Sequence, residues 1–207
     1  MIQQPCSSFY IPLPNSLATI AMLTVFYSPH AESVDNAAGR ASGHADVPLS
    51  QHGREVAQQL GKHYGAETLD AIFCSDLQRA YTTAEIAFSA RHLPIIKDAR
   101  LREFDYGKMT QFPPKELALE THITEPFPDG ESIFMAVQRV GDFLREVLRD
   151  YDGKTILVIG HSATKYGLEY WSGKRSLHDL VNTPWEWRDI PIWRYQFDDT
   201  IQMRQPS

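Results

Sequence analysis

The chain of 207 residues is long enough for one domain with a full hydrophobic core, and its composition, 43% hydrophobic and 22% charged, is ordinary for a globular protein. A formal net charge of −6, with no basic stripe in either half, argues against nucleic acid or an anionic membrane as a partner. The two cysteines, Cys6 and Cys74, lie far apart without metal-ligand or redox spacing, so we expect an intracellular, cytoplasmic protein.

The first segment of the chain is expected to lie outside the domain. Residues 1–21 contain three prolines and little periodicity, and residues 1–39 contain no Lys or Arg, so the charged start of a signal peptide is missing. No apolar run is long enough to span a bilayer. We therefore predict a flexible N-terminal extension over residues 1–21 and a single domain over residues 22–207.

Strands and helices then alternate along the chain. Apolar runs predict strands at 23–28, 70–74, 94–97 and 155–159. Apolar residues at helical spacing predict helices after Ser50, over about 131–150 and after His161. This alternation is typical of an α/β protein, and we predict a three-layer αβα sandwich with a mostly parallel central sheet.

Two further elements are predicted from short patterns. Ser75 and Gln78 have the spacing of a capping box, which predicts that a helix starts at Ser75. The tail from Ile192 to Met203 is predicted to form two strands joined at Asp198-Asp199.

Polar residues that can hold an anion follow three of the predicted strands. His30 comes just after the first strand, Arg79 a few residues after the second, and His161 directly after the last. In an open α/β sheet the carboxyl ends of the strands face one crevice. Two imidazoles and a guanidinium in one crevice predict a phosphate site.

The surroundings of these residues resemble a known family. From His30 the chain continues, without a gap in the family's spacing, to Asn36, Gly39-Arg40, Ser42-Gly43 and Asp46-Val-Pro-Leu49. The later blocks are Ser75-Asp-Leu-Gln-Arg79, Leu101-Arg-Glu103, Gly130-Glu-Ser132 and Val158-Ile-Gly-His161. Running in order between about residues 23 and 168, they resemble the histidine phosphatase superfamily, the phosphoglycerate-mutase-like proteins.

The resemblance implies a phosphatase that hydrolyses phosphomonoesters through a phosphohistidine on His30. It implies that Glu103 protonates the leaving oxygen and later activates water. Arg79 and His161 would hold the phosphoryl oxygens and neutralise the charge of the transition state. Substrate-binding roles would fall to Arg79 and to four further residues, Asn36, Ser42, Gly43 and Ser162. The substrate would be a small phosphorylated molecule, and the scheme needs no metal or cofactor.

The sequence departs from the family's pattern beside the nucleophile. The family's arginine before this histidine is Pro29 here, which offers neither a cation nor an N–H. A lost transition-state donor costs about a hundred- to a thousandfold in rate. Four residues are candidates to replace the arginine: Ser28, Arg40, Lys165 and Arg175.

Two alternatives to the phosphatase stay open. The loss of an arginine would suit a catalytically weakened or inactive relative that binds phosphorylated ligands or serves as an interaction module. Phosphotransfer of the phosphoglycerate-mutase type is the other alternative, and it calls for additional basic groups over the pocket. The segment between Glu103 and Gly130 offers only Lys108 and Lys115 and is expected to be too short for a lid, so hydrolysis is favoured. The oligomeric state is open.

Overall fold

A five-stranded sheet forms the centre of the computed structural model, which describes residues 22–183, 192–198 and 200–201. The strands are β1 (Met22–Pro29), β2 (Ala71–Cys74), β3 (Ile95–Lys97), β4 (Thr155–Gly160) and β5 (Trp193–Asp198). They lie in the order β3-β2-β4-β1-β5, with β5 antiparallel to β1 and every other pair parallel. The prediction of a mostly parallel central sheet is confirmed.

Helices cover both faces of this sheet. They are α1 (Val34–Ala37), α2 (Gln51–His63), α3 (Gln78–Phe88), α4 (Ile133–Asp150), α5 (Ser162–Trp171) and α6 (Leu177–Asn182). Ile72 and Leu157 pack with α2 and α3, whereas their neighbours Phe73 and Val158 pack with α4 and α5. Successive side chains of a strand point to opposite faces, so strands buried on both faces need continuous apolar runs. The three-layer αβα arrangement follows.

The start of α3 differs from the prediction. Leu77 is the N-cap residue without a side-chain cap, and the N–H of Leu77 donates to Ser75 Oγ at 3.2 Å. The N–H of Gln78 donates instead to Asp46 Oδ1 at 2.6 Å. The capping box is therefore wrong: a carboxylate from a distant loop caps this helix, and no short-range pattern could reveal it.

The tail also differs in part. β5 runs antiparallel to β1 from Met22–Asp198 to Tyr27–Trp193, which supplies one of the two predicted strands. Residues 200–201 lie in a 3-10 turn rather than in a second strand, and the remaining residues predicted for that strand lie outside the described part. The predicted extension over residues 1–21 lies outside it as well, and the single domain over 22–207 stays a prediction.

An irregular segment connects β3 to α4. It contains four 3-10 turns, at Ala99–Leu101, Gly107–Met109, Pro114–Glu116 and Leu119–His122. Leu117 and Phe127 anchor it in the main hydrophobic core. Within the described ranges, no helix is both long and apolar enough to cross a membrane.

Candidate active site

The carboxyl ends of β1, β2 and β4 face one cavity of about 260 Å³. Its polar lining residues are His30, Asn36, Arg40, Ser42, Arg79, Glu103, His161 and Ser162. Its other lining residues are Pro29, Ala41, Phe104, Tyr106, Pro114, Leu117, Leu119 and Tyr166. All the site residues predicted from the sequence except Gly43 therefore meet in this cavity.

His30 is a buried neutral imidazole with one defined lone pair. Its Nδ1 lies 2.7 Å from the carbonyl oxygen of Ala31, which can only accept, so Nδ1 carries the ring proton. The Nε–H of Arg79 donates to Nε2 at 3.3 Å. Burial and then the charge of Arg79 lower the pKa of His30 to about 3, against a smaller opposing effect of the Ala31 carbonyl. Nε2 is therefore the unprotonated nitrogen, and its lone pair, which accepts from Arg79, is the one suited to a nucleophilic attack.

The backbone around His30 is fixed by two neighbouring elements. The N–H of His30 donates to Gly160 O of β4 at 2.9 Å, and the N–H of Ala31 donates to Thr83 Oγ1 of α3 at 3.0 Å. Thr83 in turn donates to Arg79 O at 2.7 Å. These bonds set the position of the imidazole relative to both other strand ends.

Pro29 fits β1 because, among the described residues, its missing N–H would have had no strand partner. The N–H groups of Thr24 and His30 point to β4, so those of the odd-numbered residues point to β5. The pairing with β5 ends at Tyr27–Trp193, two residues before Pro29. Proline thus costs the sheet no hydrogen bond among the described residues.

Arg79 is buried near the start of α3 and is held by carbonyl groups. Its Nη1 donates to Ala45 O at 2.9 Å and its Nη2 to Gly43 O at 2.8 Å. Gly43 has a φ of +51°, and an added Cβ would lie 3.0 Å from the ring of Tyr106. The resemblance implies a substrate-binding role for Gly43, which is not among the lining residues of the cavity; its carbonyl fixes the guanidinium of Arg79.

His161 presents two unsatisfied ring nitrogens beside His30. Its ring centroid lies 4.9 Å from that of His30, and neither Nδ1 nor Nε2 has a hydrogen-bond partner among the described residues. Burial, followed by the charge of Arg79, lowers the pKa of His161 well below its usual value. A buried polar atom without a partner is costly, so this imidazole is suited to a ligand that accepts or donates hydrogen bonds in the cavity.

Glu103 lies at the N-terminus of α5, next to the first two residues of the helix after His161. Its Oε1 accepts from the N–H groups of Phe104 and Ala163, both at 3.0 Å, and its Oε2 accepts from that of Ser162 at 3.3 Å. The positive end of the helix favours a carboxylate there. This arrangement fixes a group capable of proton transfer in the cavity.

Arg139 of α4 supports Glu103 and was missed by the sequence analysis. Its Nη2 donates to Glu103 O at 2.8 Å and to Glu131 Oε1 at 2.7 Å. His44 Nε2 lies 2.8 Å from the same carbonyl of Glu103. A single arginine on an amphipathic helix gives no distinctive sequence signal, although Glu131 belongs to a block that the resemblance singled out.

Asn36 and Ser42 both line the cavity. Asn36 Oδ1 accepts from the backbone N–H and the hydroxyl of Ser33, at 3.0 and 2.8 Å, which fixes the first turn of α1. Ser42 is buried on the cavity wall.

Only one of the four candidates to replace the arginine at position 29 reaches the cavity, and it is Arg40. The Ser28 hydroxyl donates to the carbonyl of Pro29 at 3.2 Å. Lys165 lies 3.9 Å from a glutamate of its own helix, and Arg175 donates to a carbonyl of α6 at 2.6 Å. Among the residues that line the cavity, the arginine and lysine cations are Arg40 and Arg79.

The outer wall of the cavity comes from the irregular segment and is mainly apolar. Pro114, Leu117 and Leu119 line it, so this segment covers one side of the cavity despite its shortness. Neither Lys108 nor Lys115 is a lining residue, and Lys108 pairs with Asp129 at 2.8 Å. In the part of the chain that the structure describes, no group of three His, Cys, Asp or Glu residues could hold a metal ion.

Comparisons with known proteins agree with this geometry. The family model for the histidine phosphatase superfamily (branch 1) matches residues 29–183. Phosphoserine phosphatase 1 of Hydrogenobacter thermophilus is 34% identical over 152 residues, covering 68% of this chain and 72% of that protein. A protein of Citrobacter koseri named probable phosphoglycerate mutase GpmB is 32% identical over 171 residues, 74% of this chain and 80% of that protein. The solved structure of Bacillus stearothermophilus YhfR matches with a TM-score of 0.72 and 28% identity, covering 82% of this chain and 90% of that one.

Proposed function

Since the chain belongs to the histidine phosphatase superfamily, we propose that it hydrolyses phosphomonoesters through a phosphohistidine on His30. The observation that carries the proposal is the position of the His30 ring in the cavity. Its Nε2 lone pair faces the Arg79 guanidinium, next to the partnerless ring nitrogens of His161 in the same cavity. A nucleophile, a cation and unused polar atoms in one buried place suit a phosphoryl group.

In the first step, Nε2 of His30 attacks the phosphorus atom and the P–O ester bond breaks. Glu103, in its protonated form, gives its proton to the leaving oxygen, which departs as an alcohol, and the N–H groups of Ser162 and Ala163 stabilise the carboxylate that results. Arg79 and His161 hold the equatorial oxygens, where charge accumulates in the transition state. The phosphate accepts the Nε–H of Arg79 that otherwise donates to His30.

In the second step, water attacks the phosphorus atom of the phosphohistidine. The carboxylate of Glu103 takes a proton from this water, the P–N bond breaks, and the electron pair returns to Nε2. The proton that Glu103 lost in the first step is thereby replaced. Because Nδ1–H stays bonded to the Ala31 carbonyl, the ring keeps its orientation through both steps.

The cavity favours hydrolysis over phosphotransfer between two positions of one substrate. A mutase must keep a substrate with a second anionic group bound between its half-reactions. The outer wall carries Leu117, Leu119 and Pro114, and none of its described lining residues is a lysine. The relatives named as enzymes do not favour the alternative of an inactive binding module.

Turnover of an aryl phosphate such as p-nitrophenyl phosphate tests the proposal. We expect turnover without added metal, acid-labile phosphate on His30 in quenched samples, and loss of both in His30→Ala. His92→Ala, which changes an exposed histidine outside the cavity, is the matched control and should keep both. Unchanged turnover in His30→Ala would contradict the mechanism, and absence of turnover in the wild-type protein would contradict the activity.

A further inference from the structure

We propose that Arg40 supplies the second guanidinium to the phosphoryl group, in the role that an arginine at position 29 would otherwise have. The inference rests on the proposed function and assigns a binding residue within that site. It starts from a difference between two residues that line the same cavity. Pro29 lines the cavity without any charge, whereas the cationic side chain of Arg40 lines the same cavity.

A buried carboxylate holds Arg40 in place. Arg40 Nε and Nη2 donate to Asp35 Oδ1 at 2.9 and 2.5 Å, and the backbone N–H of Arg40 donates to Asp35 O at 2.9 Å. The side chain of Asp35 is 1% exposed. Burial alone would raise the pKa of Asp35, but hydrogen bonds from Gln111 and Arg40 lower it below its usual value. A charged anchor therefore occupies one edge of the guanidinium.

The other edge of the guanidinium is available to a ligand. Nη1 of Arg40 has no hydrogen bond to any described residue. The side chain is 45% exposed and lines the cavity. An arginine that is fixed by Nε and Nη2 on a carboxylate can still direct Nη1 toward an anion with little loss of side-chain freedom. Preorganised donors of this kind contribute most to binding the charge of a transition state.

Hydrogen bonds of Asp35 and Ala41 also connect the loop that carries Arg40 to the irregular segment. Gln111 Nε2 donates to the second oxygen of Asp35 at 2.9 Å. The N–H of Ala41 donates to Phe112 O at 2.9 Å, and the N–H of Gln111 donates to Ala41 O at 2.7 Å. The loop that carries Arg40 is thus hydrogen-bonded to the irregular segment before Arg40, at Asp35, and after it, at Ala41. These bonds fix the position of the Arg40 side chain.

The charge of a phosphate dianion calls for a second cation in the cavity. Arg79 already uses Nη1 and Nη2 on two carbonyl groups and Nε on His30. A phosphate dianion would otherwise face this one cation and two histidines whose pKa values are lowered. Among the described residues that line the cavity, Arg40 is the other arginine or lysine that can balance its second charge.

Inorganic phosphate tests the inference independently of turnover. Isothermal titration calorimetry of phosphate into Arg40→Ala should show affinity about ten- to a hundredfold weaker than that of the wild-type protein. Arg40→Lys, which keeps a charge but cannot form the paired contacts, should lie between the two. Arg149→Ala removes an exposed arginine that pairs with Asp150 outside the cavity and should bind phosphate as the wild type does.

Turnover of two substrates separates the phosphoryl group from the leaving group. Arg40→Ala should lower kcat/KM about a hundred- to a thousandfold for both p-nitrophenyl phosphate and phosphoserine. Adding Pro29→Arg to Arg40→Ala should restore part of the loss. A loss confined to phosphoserine would mean that Arg40 binds a carboxylate and would overturn the inference, as would unchanged phosphate affinity in a folded Arg40→Ala or Arg40→Gln protein. If the wild-type protein bound phosphate without turnover, the proposed function would fail while the phosphate titrations still decided the role of Arg40.

Discussion

The floor and the outer wall of the cavity are built in different ways. The floor consists of His30, Arg79, Glu103 and His161, and the wall consists of Tyr106, Pro114, Leu117 and Leu119. The reactive groups of His30, Arg79 and Glu103 are each bound to backbone groups, and the backbone carbonyl of His161 accepts from the Tyr27 hydroxyl at 2.8 Å. The wall segment is a series of 3-10 turns, and it contributes apolar side chains.

This difference separates the two tasks of the site. Groups fixed on the backbone at strand and helix ends can meet a transition state without reorganisation, so changes in the floor should act on rate. Apolar contacts are weakly directional and scale with buried area, so changes in the wall should act on substrate preference. Four variants or conditions test this division, from the largest expected effect to the smallest.

Glu103→Gln should have the largest effect. The amide cannot supply a proton, and loss of a general acid lowers kcat by about 10²–10⁴-fold. The loss should be greater for an alkyl phosphate than for p-nitrophenyl phosphate, whose leaving oxygen needs little protonation. Steady-state kinetics with both esters measure this. Glu146→Gln, on an exposed ion pair with Arg100, is the control, and an equal loss for both esters would contradict the acid role.

Arg79→Lys should come next, with kcat/KM about 10²–10³-fold lower. An ammonium group cannot bond both carbonyls and still present a planar fork to phosphate. Kinetics together with phosphate titration measure the loss. Arg91→Lys is a matched control, because Arg91 also donates to two carbonyls, at 2.9 and 2.6 Å, outside the cavity. Similar losses in both variants would show that the effect is structural.

Acid should lower the free energy of unfolding through the buried histidines of the floor. Burial and Arg79 lower the pKa of His30 to about 3, so the unfolded chain binds a proton that the folded chain excludes between that pH and about 6.5. The free energy of unfolding therefore falls as the pH drops, by about 2 kcal/mol from His30 alone between pH 7.5 and 5. His161 acts in the same direction.

Urea unfolding at the two pH values measures this dependence. His30→Asn should lose about 2 kcal/mol less than the wild-type protein over the same range, while His92→Asn should behave as the wild type. An identical loss in His30→Asn would mean that folding does not lower the pKa of His30.

Leu119→Ala should have the smallest effect and should act on the wall alone. Leu119 is half-buried at the cavity, so removal of its branched end should raise KM for an aryl phosphate about fivefold. The affinity for inorganic phosphate should not change, because phosphate contacts the floor. Leu93→Ala, at a half-buried leucine outside the cavity, is the control. A fall in phosphate affinity would show that wall and floor are coupled.

The sequence predicted the floor better than the wall. Parallel strands share one direction, so residues that follow β1 and β4, such as His30 and His161, had to meet at one edge once the apolar runs were recognised. Leu117 and Tyr166 were missed because an irregular segment has no period, and a core-type residue on a helix gives no sign that it faces a cavity. The resemblance assigned Gly43 to the substrate, and no short-range pattern could show that its carbonyl accepts from Arg79, because the two residues lie far apart in the chain.

The cap of α3 couples the stability of the helix start to that of a distant loop. The helix that carries Arg79 begins on the carboxylate of Asp46, 32 positions earlier, and the same loop supplies the carbonyls of Gly43 and Ala45 to the guanidinium. Loop and helix start thus form one cooperative unit, whose amide protons should exchange with solvent together. A single proteolytic nick in that loop would release the guanidinium while the strands stayed paired.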